Sequence, residues 1–196
     1  MRDILDAVAD GEMSPEAAEA ALRGYATSEA GRFDAARADR SGVPEAVLGD
    51  GKTPDEVATL VASSVETTGR AIATRLTDEQ VTSVRGRLDE QFPDASIRLN
   101  DRASVLVAHA PDFEPPSLDA TVGIVTAGTS DAVAAGEAAA VARELRETVT
   151  RIDDVGVASL ARFLDRTDRL REQDVLVVAA GREGALPTVA AGLVDV

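Results

Sequence analysis

The chain contains no cysteine, no tryptophan, one tyrosine and one histidine. Without cysteine, these residues supply no disulfide, no thiolate metal site and no thiol nucleophile. With a single histidine no histidine-rich metal site can form, and His109, at the end of the strand-like run LVAHAPD, reads as incidental. No apolar run approaches the roughly 20 residues that a membrane span needs. The first residues, MRDILDAVADGEM, are acidic where a secretory leader is basic and then apolar. A soluble, cytoplasmic protein with no membrane partner is the expectation.

Lysine is nearly absent too. Of 20 basic residues only Lys52 is a lysine, against 35 acidic residues and a formal net charge of -15. A surface of that sign repels a phosphate backbone, which argues against nucleic acid as a partner. An acidic, arginine-rich and alanine-rich chain suits a cytoplasm of high salt, where charge repulsion is screened, so a halophilic source is expected. At 196 residues the chain can bury one good core or two modest units.

Three segments follow from the local pattern. Residues 1–28 read as a helical hairpin, with Ser14 as N-cap, Pro15 at the first helical position and Gly24 as the stop. Residues 29–116 read as a small α+β domain. There Thr53 to Glu56 and Thr77 to Gln80 are capping boxes that open two helices, the second running to Phe92, while AIATRL, SIRLN and ASVLVAHA are strand candidates. DFEPPS, residues 112–117, is the linker, because consecutive prolines continue neither sheet nor helix. Residues 117–196 alternate VGIVTAG, a helix from Asp131 to Thr148, TVTRIDDVG, a helix from Val157 to Leu164, the fully apolar strand DVLVVAAG and a helix from Gly184 to Leu193. That alternation predicts an α/β fold with a parallel sheet covered on both faces.

In such a sheet, ligands bind where strands end in turns that open helices. Three ends qualify, AGTSD at 127–131, DDVGV at 153–157 and AGREGALP at 180–187, and they are expected to converge on one crevice. Gly128 permits close backbone approach, and Thr129 and Ser130 offer hydroxyls and N–H groups to a phosphate or carboxylate. Asp131 can cap a helix or hold a ribose. Gly181 and Gly184 bracket Arg182 and Glu183, a carboxylate that either caps or acts as acid and base. Asp153 and Asp154 are a carboxylate pair that could meet Mg²⁺, although a solvated turn explains them as well. Lys52, in GDGKTP, suits a phosphate or carboxylate that requires a compact ammonium. Arg32, Arg37 and Arg40 with Asp34 form either a guanidinium cluster for anions or a salt-bridged surface.

Four motifs in order, RFDAARADRSGVPEAVLGDGKTP, GIVTAGTSDAVAAGEAA, RIDDVGVASLARFL and VLVVAAGREGALPTVAAGLVDV, resemble the LarB family of nickel-pincer cofactor biosynthesis, relatives of the PurE-type aminoimidazole ribonucleotide carboxylases. The likeness covers most of residues 30–196. It implies a PurE-like three-layer parallel-sheet domain, Rossmann- or flavodoxin-like, behind a small α+β domain, assembled into homo-oligomers that are usually octamers. It implies a pyridinium-3,5-biscarboxylic acid mononucleotide synthase, which carboxylates the pyridinium ring of nicotinic acid adenine dinucleotide with CO₂ or bicarbonate and hydrolyses the phosphoanhydride, releasing AMP. No tightly bound cofactor is implied beyond a possible Mg²⁺ with the nucleotide.

By the resemblance, Gly128, Thr129, Ser130 and Asp131 form the nucleotide-binding turn, and Ser130, Asp131 and Glu183 are the catalytic candidates. Arg32, Asp34, Arg37, Arg40, Gly51 and Lys52 match the amino-terminal signature, and Gly156, Gly181 and Gly184 contact substrate. The sequence departs from the family at Ala161, where a histidine is usual, and at Ala132 and Val133, where a proline is usual. The family also continues past the position of Val196 with a strand, a Gly-rich loop and a helix bearing the cysteine that adds to the pyridinium ring. A truncated fragment is therefore expected, or else a divergent protein without the covalent step. The rival readings are a true PurE-type carboxylase of purine biosynthesis and a non-catalytic nucleotide-binding protein.

Overall fold

The computed structural model describes residues 2–42, 44–145, 147–182 and 184–196, and the chain divides into two compact units, Met1–Glu114 and Pro115–Val196. In the first unit, α1 (Arg2–Ala9) and α2 (Pro15–Arg23) are separated by the turn that ends at Ser14, whose hydroxyl accepts the Ala17 N–H at 3.1 Å. A hairpin of β1 (Ala26–Ser28) and β2 (Gly31–Phe33) and a short α3 (Arg37–Ser41) follow. Both capping boxes are present: Thr53 opens α4 (Pro54–Thr68) and Thr77 opens α5 (Asp78–Gln91), each closing two backbone donors that a helix start otherwise leaves unpaired.

These helices cover a four-stranded sheet in the order β3 (Ala46–Leu48), β4 (Arg70–Thr74), β6 (Val105–His109), β5 (Ser96–Asn100). β3 runs parallel to β4, and the other pairs are antiparallel. Val57, Val61 and Val65 of α4, Val84 and Leu88 of α5 and Leu106 of β6 make one core, which also takes in Ala20 of α2 and Ala26 and Phe33 of the hairpin. The second amino-terminal helix, α2, thus packs into this core, while α1 buries no residue. The hairpin, α3 and β3 lie in a stretch where the sequence predicts no element, because three-residue strands carry too few positions to show a period.

The second unit is a three-stranded parallel sheet in the order β8 (Thr148–Ile152), β7 (Thr121–Thr126), β9 (Val175–Ala179). One face of β7, Val122 and Ile124, packs on Ala135 and Ala139 of α6 (Ala132–Arg143). The other face meets Phe163 of α7 (Leu160–Leu164), Leu170 of α8 (Thr167–Arg171) and Leu186 and Ala190 of α9 (Ala185–Leu193) through Val125 and Ile152. The result is the expected three-layer α/β arrangement, with the chain crossing one face to reach β8 and the opposite face to reach β9. Strand order therefore reverses between β7 and β9, the kind of switch point at which open α/β sheets bind ligands.

Three local expectations change. The helix read as Asp131 to Thr148 is shorter: a 3-10 turn occupies Thr129–Asp131, α6 ends at Arg143, and the Glu144 N–H closes the last turn on the Ala140 carbonyl at 3.1 Å. Between the helix at 160–164 and β9 a further short helix, α8, is present. β9, read as buried on both faces, leaves Val175 and Val177 50% and 38% exposed, because α6 packs on Ala179 at the end of this strand and does not cover its beginning. Among the described residues no helix is long and apolar enough to cross a membrane.

Candidate functional site

The three strand ends converge. Turns after β7, β8 and β9 surround an open crevice of about 440 Å³ at the carboxyl edge of the sheet, and its lining includes Gly128, Thr129, Ser130, Asp131, Gly156 and Gly181. Asp154, Arg162 and Arg182 add charged groups to it, and Ala127, Val157 and Ala158 add apolar ones. The volume is within the range of small-molecule sites, roughly 300–1,000 Å³.

Backbone and side-chain hydrogen bonds fix the turns against one another. Thr126, 2% exposed at the end of β7, donates its hydroxyl to Asp153 Oδ1 at 3.1 Å and accepts the Asp154 N–H at 3.1 Å. Arg151 holds the same Asp153 oxygen at 2.6 Å. Asp154 has a left-handed backbone, φ 59°, and its carboxylate turns the other way, to Arg162 at 2.5 Å. The Gly156 N–H donates to the Ala127 carbonyl at 2.9 Å, and a Cβ at Gly156 would stand 2.6 Å from that oxygen, so the residue is glycine for space.

Asp131 bridges the switch point. Its Oδ2 accepts the Gly128 N–H at 2.9 Å and its Oδ1 accepts the Gly181 N–H at 3.0 Å. The carboxylate thus occupies the two glycine donors that the sequence offers to a substrate anion. In this arrangement Asp131 positions two turns.

Of the remaining candidates, Gly184 opens α9 with φ 65° and lies outside the crevice lining, and Glu183 lies outside the described residues. Arg32, Asp34, Arg37, Arg40 and Lys52 belong to the first unit. There Arg40 pairs with Asp34 at 2.5 Å, the Asp34 N–H donates to Glu45, and the Arg32 guanidinium lies 5.3 Å from the Tyr25 ring centre. The Lys52 ammonium donates to the Leu48 carbonyl at 2.9 Å, and buried Gln80 braces this turn by donating to the carbonyls of Gly49 and Lys52. Beside it, the Thr53 N–H, and to a lesser extent the Thr53 hydroxyl and Lys52, hold the Glu56 carboxyl below the usual carboxylate range. His109 packs its ring on Phe113 at 5.0 Å.

A smaller crevice of about 240 Å³ in the first unit lies between α2 and α4. Its wall includes Glu66, whose carboxyl is pushed up by burial and then by Glu16. β1 also lines this crevice through Ala26, Thr27 and Ser28. Among the described residues no group of three or more His, Cys, Asp or Glu side chains is placed to hold a metal ion. Asp153 and Asp154 engage different arginines, Arg151 and Arg162.

The model of the LarB/PurE-like N-terminal domain matches residues 25–110, from the first hairpin to the end of β6. An uncharacterized protein of Methanocaldococcus jannaschii is 34% identical over 201 residues, an alignment that takes in 100% of this chain and 78% of that protein. The chain belongs to the LarB/PurE-like family. That places it in a carboxylase-related family, with the matched domain in the first unit and the switch-point crevice in the second.

For this LarB/PurE-like chain, sequence reasoning found the three turns but missed Arg162. The signal was available: in DDVGVASLAR the helix that follows the second strand end brings Arg162 back over Asp154.

Proposed function

We propose that the protein carboxylates the pyridinium ring of nicotinic acid adenine dinucleotide and splits its phosphoanhydride, releasing AMP. The observation that carries this reading is the convergence of three strand-end turns on one crevice at the sheet's switch point, in a chain of a carboxylase-related family. The crevice would take the nicotinate mononucleotide half. Ser130, exposed on the turn after β7, is available to bond a carboxylate or phosphate oxygen. Asp131 holds the turns of β7 and β9 at fixed separation, which orients the ring that lies between them.

In carboxylation a ring carbon forms a bond to CO₂ and loses a proton to a base, for which Glu183 is the candidate. The ring must first be made electron-rich, and the thiolate that the resemblance assigns to this is not among these residues. In the hydrolysis, water adds to the phosphorus next to the mononucleotide and AMP departs. Magnesium, if it accompanies the nucleotide, would screen the diphosphate charge. Within the first unit Arg40 and Lys52 are already engaged with Asp34 and Leu48, so an anion bound at either would have to displace that contact. The apolar exposure of Val175 and Val177 supports assembly of several copies.

The test is calorimetric titration of nicotinic acid adenine dinucleotide in high salt, followed by labelled bicarbonate with detection of AMP and fixed carbon. Saturable binding with carbon fixed on the ring is expected. Absence of binding overturns the reading, and carbon fixed instead on aminoimidazole ribonucleotide moves the protein to purine biosynthesis.

A further inference from the structure

We propose that Arg162 is the anion receptor of the crevice and that Asp154 is an internal competitor for it, so that an incoming phosphate or carboxylate takes the guanidinium over from Asp154. The inference rests on the reading that the crevice accepts an anionic nucleotide, and it names the residue that reads the anion.

Four observations lead there. Three glycine N–H groups of the crevice lining are already engaged inside the protein: Gly128 and Gly181 with Asp131, and Gly156 with the Ala127 carbonyl. Beside the hydroxyl and N–H groups of Thr129 and Ser130, an anion needs positive charge to be held here, and the cations in the described lining are Arg162 and Arg182. Arg162 pairs with Asp154 at 2.5 Å, both side chains remaining about half exposed at 44% and 56%, so the pair sits where a ligand can reach it. Finally, the pair is built into the turn. Asp154 adopts a left-handed backbone that most residues avoid, and its N–H is pinned to the buried Thr126 hydroxyl, which fixes where its carboxylate stands.

A half-exposed ion pair in water is weak. A guanidinium is a planar fork of donors that matches a carboxylate or phosphate in two parallel bonds, so a ligand that brings an oxyanion can displace one aspartate oxygen without a large penalty. In a chain of net charge -15 such an exchange matters. Asp154 masks the cation until a ligand arrives and returns to it as product leaves, which keeps the anionic product from being held too tightly.

The experiment titrates full-length wild type, Arg162→Gln and Asp154→Asn at one fixed salt concentration with two probes, nicotinic acid adenine dinucleotide and inorganic pyrophosphate. Asparagine tolerates the left-handed backbone, so Asp154→Asn removes the charge and keeps the turn. Thermal midpoints close to wild type verify that both variants fold. Opposite shifts are expected: Arg162→Gln weakens binding by about tenfold or more, and Asp154→Asn tightens it by about two- to fivefold. Equal effects of the two substitutions, or none, with the dinucleotide still bound, overturn the receptor and leave the nucleotide reading standing. Binding of pyrophosphate that depends on Arg162, with no binding of the dinucleotide, upholds the receptor and overturns the nucleotide reading. Failure of wild type to bind either probe overturns both.

Discussion

The carboxylate of Asp131 accepts the backbone N–H of Gly181, fifty residues further along the chain, at 3.0 Å, and its other oxygen accepts Gly128. One side chain thereby staples the carboxyl ends of β7 and β9 across the switch point. A residue that the sequence offers equally as helix cap, ribose ligand or acid is, in the fold, a brace.

Asp131→Asn would present an NH₂ group to one of the two N–H donors, and that donor would lose its partner. A loss of about 1–3 kcal/mol in urea-unfolding stability is expected. Ser130→Ala, at an exposed neighbour, should stay within about 0.5 kcal/mol. Equal stabilities of the two variants would show that the bridge contributes nothing.

Two glycines of the site should respond differently to alanine. Gly156 has φ -60°, open to any residue, yet its Cβ would stand 2.6 Å from the Ala127 carbonyl oxygen, so Gly156→Ala should cost about 1–3 kcal/mol through steric displacement of the turn. At Gly128 the backbone is extended and a Cβ would meet nothing within 4 Å, so Gly128→Ala should fold normally and weaken nucleotide binding where the ligand approaches the backbone. Thermal melts paired with nucleotide titrations separate the two; a Gly128→Ala protein that binds as wild type would move the ligand away from this turn.

The Glu66 carboxyl is raised above its ordinary range by burial and by Glu16, while Ser14 makes only a long contact of 3.5 Å to it. The folded state thus disfavours its charged form. The stability linked to this group is present below the unfolded value, about pH 4.3, and is lost as pH rises through the higher folded value. Glu66→Gln should therefore raise the melting temperature at about pH 8, with the gain shrinking at about pH 5. A variant equally or less stable at the higher pH would contradict this.

Much of the architecture was legible because it rests on strong local grammar. Thr53 with Glu56, Thr77 with Gln80, and Ser14 before Pro15 mark helix starts by the same hydrogen bonds that the structure makes. The parallel strands showed as apolar runs, and the crevice followed from the general behaviour of strand ends. What was not legible depends on contacts between distant residues. Nothing near Asp131 tells that its carboxylate will be consumed by Gly181, and nothing near Asp154 tells that Thr126 will hold it in a left-handed turn. The exposure of Val175 and Val177 was also invisible, because composition reports that a strand is apolar and not how far a covering helix reaches.

The sheet of the second unit also constrains the order in which it can assemble. β7 is the first of its three strands to be synthesised and the one that ends in the middle, with Val122 paired to Val149 on one side and to Val175 on the other. The β7, α6 and β8 segment can close early, because a single helical crossover joins its strands. The second edge of β7 waits for β9, across a longer span whose closure is slower. The Asp131 to Gly181 bond belongs to that last pairing, so the crevice should be among the latest features to form on folding and among the first to open under stress.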